Sequence, residues 1–134
     1  MASGIYNRFK ANLMNKVVDL EADTIIVSLY DDSHVFDAAD TDYTTTNELP
    51  NGVGGYSRGV KALAGKAVTE GATTKFDATD VAWTAATFTA YFAVIWDSSA
   101  GNDLICCIDF GGAKTVSGGT FTIQWDADGI ITLA

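Results

Sequence analysis

Residues 81–134 constrain the fold more than any other stretch, because they read as four apolar, β-branched and aromatic-rich runs separated by Gly, Asp, Asn and Ser. Runs of that length and composition are strands. From Thr87 onward, alternation places Phe88, Ala90, Phe92, Val94 and Trp96 on one face and Thr87, Thr89, Tyr91, Ala93 and Ile95 on the other. Both sets are at least half apolar, so a central strand covered on both sides is expected. Residues 98–103 should join it to 104–110 as a hairpin, and 111–114 should turn the chain again. Residues 120–125 then alternate Phe121, Ile123 and Trp125 against Thr122 and Gln124. A terminal β-hairpin with 130–134 is expected there, with Gly129 supplying a positive φ in its turn.

Upstream, Ser3 is placed to cap a helix over about residues 3–16, with Ile5, Phe9, Leu13 and Met14 at helical spacing and Lys10, Asn12 and Asn15 outside that stripe. Residues 24–30 are β-branched between acidic turns and read as a further central strand. Residues 31–55 lose both periodicities and gather Asp, Thr, Asn, Gly and the single proline, Pro50. A loop that long in a compact domain is commonly a contact region, the alternative being a surface excursion with a short helix near 35–40. Residues 56–70 resume as short extended pieces with Val60, Ala62 and Leu63 inward, and 73–77 as another short strand. The expected organisation is one β-rich domain over 1–134, with an N-terminal helix at about 3–16, a long loop at about 31–55 and a sheet core at 81–134. The fold class is mainly β, an antiparallel β-sandwich or jelly-roll-like domain with one short N-terminal helix.

At 134 residues the chain is long enough to bury a core without staples. Charged residues make up 19% and apolar ones 48%, so part of the surface is expected to meet a partner. A balance of 17 acidic against 8 basic residues, with no Lys/Arg cluster, argues against nucleic acid and against anionic lipid. The N-terminus lacks the apolar core of a signal peptide and no run has the length of a membrane span, so a soluble protein is expected. Cys106 and Cys107 are adjacent in an apolar run, which sends their sulfurs to opposite faces of a strand. They are expected to pack as small apolar residues, with oxidation between subunits left open.

His34 is the only histidine, so any nucleophile scheme with a histidine base must be built there. No basic residue or helix start flanks Cys106 to activate it. The carboxylate pairs Asp31/Asp32, Asp40/Asp42, Asp77/Asp80 and Asp126/Asp128 do not match a calcium loop: counting from Asp40, Thr45 stands where Gly belongs and Asn51 where Glu belongs. The glycines at 52, 54 and 55, at 111 and 112, and at 118 and 119 lack phosphate-loop spacing and read as turns. Trp83, Trp96 and Trp125 read as core rather than as a sugar platform. No catalytic, cofactor-binding or metal residue is therefore assigned, no cofactor is expected, and a non-enzymatic protein is.

Three segments also resemble a family of small structural proteins of tailed bacteriophages. They are Leu20, Asp23-Thr24-Ile25 and Val27 after the helix; Asp80-Val81, Trp83 and Thr87-Phe88-Thr89-Ala90; and Asp109-Phe110-Gly111-Gly112 with Phe121-Thr122-Ile123 and Trp125. The resemblance spans roughly three quarters of the chain and omits most of 31–70. It implies a virion protein made in the host bacterial cytoplasm, foremost a head decoration or cement protein on the capsid's outer surface. Its partners would be the major capsid protein or other virion proteins and its own copies, a trimer being favoured. The alternatives are a neck, collar or tail component, a glycan-binding module using exposed aromatics, and a small hydrolase using His34. Helix residues 3–16 and the 31–55 loop are the expected contact elements.

Overall fold

The computed structural model describes residues 3–134. It is mainly β and wholly antiparallel, a β-sandwich-like arrangement of two sheets with one short helix. The elements are β1 (Gly4–Ile5), α1 (Asn7–Met14), β2 (Ile25–Tyr30), β3 (Ala67–Thr69), β4 (Thr74–Asp77), β5 (Val81–Asp97), β6 (Asp103–Ile123) and β7 (Ile131–Leu133). The main sheet runs β1-β6-β5-β2 and the smaller one β3-β4-β7. No described helix is long and apolar enough to cross a membrane.

The expected 98–103 hairpin is present, closed by the pair Asp97 and Asp103, with Asp97 Oδ1 accepting the Ser99 amide at 2.9 Å. The alternation does not hold through β5. The register against β6 slips between Ala90 and Phe92, so residues 110–113 lie opposite the single residue Tyr91. Beyond the slip the faces exchange. Phe88 and Ala90 pack into the inter-sheet core with Ala93 and Ile95, whereas Phe92, Val94 and Trp96 pack on the outer side. Gly111 and Gly112, with φ of 77° and 143°, therefore form a bulge inside one long strand and do not turn the chain.

Nor does the C-terminal segment return as a hairpin on β6. β7 pairs with β4, Phe76 opposite Ile131. After Ile123 the chain is drawn off the β5–β6 ladder: Asp80 Oδ1 accepts the Trp125 amide at 2.9 Å and the Thr79 carbonyl accepts its indole N–H at 3.1 Å. Gly129 has the expected positive φ, +92°, and a Cβ there would sit 2.7 Å from the Phe76 carbonyl oxygen.

The helix is shorter than its sequence suggests. Gly4 and Ile5 are taken as β1 against Cys107 and Cys106, so Tyr6 is the N-cap residue and Ser3 is not. Ser3 Oγ instead accepts the Asp109 amide at 2.9 Å. Phe9 and Leu13 point into the inter-sheet core, but Met14 is 90% exposed. Asn12, expected outside the stripe, is buried and donates to Asp103 Oδ2 at 2.7 Å.

β2 is buried on both faces, as a central strand would be, yet it lies at the end of its sheet. Loop backbone takes the place of the missing neighbour. The Val27 amide donates to the Lys61 carbonyl at 2.8 Å, Leu63 to Ile25 at 2.8 Å and Leu49 to Leu29 at 3.0 Å. In this strap Leu63 is inward as expected, whereas Val60 and Ala62 are exposed. A buried carboxylate fixes it. Glu48 accepts from the hydroxyls of Tyr43 and Tyr56 at 2.5 Å each, and Arg58 Nη2 donates to its carbonyl at 3.2 Å. Residues 35–40 form no helix; Asp31 and Asp37 instead cap the amides two residues on, at 2.9 Å each.

Candidate interaction surfaces

The fold brings His34 and Cys107, 73 positions apart in sequence, together, with Nε2 and Sγ 3.7 Å apart. The imidazole lies against Tyr30 and Phe92, with ring centroids at 4.6 and 5.1 Å. Burial pushes the Cys107 thiol up to about 12 and His34 below its ordinary value. The pair is therefore a neutral thiol against a neutral imidazole, without the thiolate that a cysteine nucleophile needs. Cys106 faces the inter-sheet core, so the two sulfurs do sit on opposite sides of β6, and both thiols are free.

Among the described residues, no three His, Cys, Asp or Glu side chains are grouped to hold a metal. Asp77, Asp80 and Asp126 each accept backbone amides, at 2.8, 2.9 and 2.8 Å respectively. Trp83, Trp96 and Trp125 are all buried. A carboxyl pair that spacing does not reveal joins Asp97 to Asp23, 74 positions away in sequence (97 − 23). Asp97 Oδ2 is buried without a donor, and the group facing it is the Asp23 carboxyl. Burial, then Asp23, raises Asp97 to about 7, while the hydrogen bond from Asp97 holds Asp23 down. A proton held between the two carboxyls would supply the missing donor.

An apolar groove of about 370 Å³ lies between the C-terminal half of α1 and the smaller sheet. Phe9, Leu13, Val17, Val68, Phe76 and Leu133 line it. Of the seven large apolar side chains left exposed among the described residues, Val17, Val68 and Leu133 are in this lining and Met14 adjoins it in sequence. Concentration of exposed apolar area at one place marks a contact site more strongly than scattered side chains do. Lys16 and Lys75 also stand in the lining, the Lys75 ammonium donating to the Ala127 carbonyl at 3.2 Å, and Asp19 Oδ1 there accepts the amides of Glu21 and Ala22 at 3.1 Å each.

The 31–55 loop divides into two unlike halves. Its second half is the buried strap around Glu48 and Leu49. Its first half, 31–42, lies over the outer face of the main sheet and carries Asp31, Asp32, Asp37, Asp40 and Asp42 with no Lys or Arg. His34 and Phe36 anchor it inward, and Val35 between them is 67% exposed. A cavity of about 330 Å³ lies beneath, lined by Tyr6, Tyr30, His34, Asp40, Asp42 and Leu104 among others. A third groove, of about 590 Å³, follows β6 past Phe110, Phe121 and Ile123 to Trp125. No family model, no curated protein and no solved structure matches the chain.

Proposed function

We propose that this chain is a structural protein of a tailed-bacteriophage virion, foremost a head decoration or cement protein that binds the assembled capsid and bridges its subunits. The resemblance of three segments to that family supports it, and so does the distribution of surface. The observation that carries it is the placement of apolar grooves on a strand-held body. A body of this kind adds interface area between neighbours, which is the work of a cement protein.

Quantitative mass spectrometry of purified virions, read against the major capsid protein, tests the reading. Hundreds of copies, in a simple ratio to the capsid protein, are expected for a decoration lattice. About six to fifteen copies would instead place the chain in a neck, collar or tail ring, because symmetry fixes the stoichiometry of such rings. Absence from the particle would overturn both.

A further inference from the structure

We infer that the chain assembles head to tail with its own copies, the acidic 31–42 loop of one copy seating Val35 in the apolar groove between α1 and the smaller sheet of the next. This deepens the virion reading by naming the contact between copies, and it rests on observations independent of that reading. The two surfaces are opposite in character. The groove is apolar, with two lysines, Lys16 and Lys75, against one carboxylate, Asp19, in its lining. The loop offers an exposed valine between Asp32 and Asp37. No Lys or Arg stands anywhere between Lys16 and Arg58, so the loop's own charged residues are all acidic, with Arg8 as a neighbour through its pairing with Asp103 at 3.9 Å.

Geometry excludes closure within one chain. Groove residues Phe9, Phe76 and Ile131 belong to the inter-sheet core, whereas Phe36 of the loop packs on the opposite face of the main sheet with Tyr6, Tyr30 and Phe92. A second copy can bring the two together. For a chain of net charge −9, most approaches of two copies set acid against acid, and this one sets acid against lysine. Since the two patches differ, the interface is heterologous, and repeating it generates a ring when the rotation closes. The trimer expected from the sequence resemblance is one such ring.

The test is sedimentation equilibrium on the full chain and on charge-reversed variants, each checked for its fold by circular dichroism. The wild type is expected to run above monomer mass and to dissociate as salt rises. Lys16→Glu with Lys75→Glu should weaken association at least tenfold, and so should Asp32→Lys with Asp40→Lys. Combining all four substitutions in one chain should restore it, which general damage to the fold would not do. A wild type that stays monomeric, an oligomer indifferent to both reversals, or a four-fold variant that fails to reassociate would each overturn the inference. Co-sedimentation with purified heads separates this from the virion reading. A monomer that binds heads overturns the ring alone, and a ring that ignores heads overturns the decoration role alone.

Discussion

The Tyr56 hydroxyl donates to Glu48 Oε2 at 2.5 Å and accepts the Leu29 amide at 2.9 Å, so one oxygen ties the loop strap to β2. Both Tyr56 and Glu48 are buried, and burial is the main reason the phenol ionises well above its ordinary value. Tyr56→Phe would strip a donor from a buried carboxylate and an acceptor from a buried amide. A loss of about 2–4 kcal/mol is expected, from the cost of leaving such groups unpaired. Urea unfolding checks it; a change below ~0.5 kcal/mol would show that water replaces the hydroxyl.

The Asp23–Asp97 pair is expected to make stability fall as pH rises. Asp97 titrates at about 7 when folded, against an ordinary carboxyl of about 3.9 when unfolded. Between those values the folded chain holds a proton that the unfolded chain has lost. Its contribution is complete below the lower value and is lost as pH climbs through the upper. Asp23, held low, acts in the opposite sense and in a more acidic window. Asp97→Asn keeps an acceptor for the Ser99 amide, and it should flatten the decline in melting temperature between about pH 4 and 7. An unchanged slope would mean that the proton is not shared.

Gly54 has a φ of +62°, and a Cβ there would fall 1.9 Å from the Thr87 carbonyl oxygen. The Thr87 amide meanwhile donates to the Gly54 carbonyl at 2.9 Å, so backbone meets backbone with no room between. Gly54→Ala should cost about 1–3 kcal/mol or more, by forcing either a strained dihedral or a broken contact. Gly52, with a similar φ of +75° and nothing near its absent Cβ, is the control and should cost less when substituted by Ala.

Cys106 is 5% exposed and Cys107 1%, and burial pushes both thiols up, Cys107 to about 12. Neither should react with a thiol reagent at neutral pH until urea unfolds the chain. Non-reducing gels of assembled particles should show monomer mass. A dimer band would place a sulfur at a subunit contact that this packing does not offer.

What the sequence made legible was local. The 98–103 hairpin, the strand at 25–30 though not its place at the sheet's edge, the opposed sulfurs of Cys106 and Cys107 and the positive φ of Gly129 all follow from local composition, side-chain period or turn chemistry over a few residues. What stayed hidden was long-range. A bulge at Gly111–Gly112 and a turn there have the same composition, and only the partner strand distinguishes them. The choice of β4 over β6 as the partner of β7 is made by Asp80 and Thr79, some 45 residues before Trp125. Glu48 and Asp97 gave no signal because a buried carboxylate looks, in sequence, like any surface one. The groove was half legible: helical spacing assigned Phe9 and Leu13 to a buried face, but Val68 and Leu133 reach it only through the second sheet.

The pairing of β7 with β4 also orders events in time. β5 and β6 are joined by a short turn and can zip together at once, whereas Phe76 must find Ile131, 55 positions on (131 − 76). Closing so long a loop costs entropy before any contact repays it, so the smaller sheet is expected to complete after the rate-limiting step. Gly129→Ala should then accelerate unfolding while leaving the refolding rate nearly untouched, a kinetic signature of a sheet that is the last to form and the first to open.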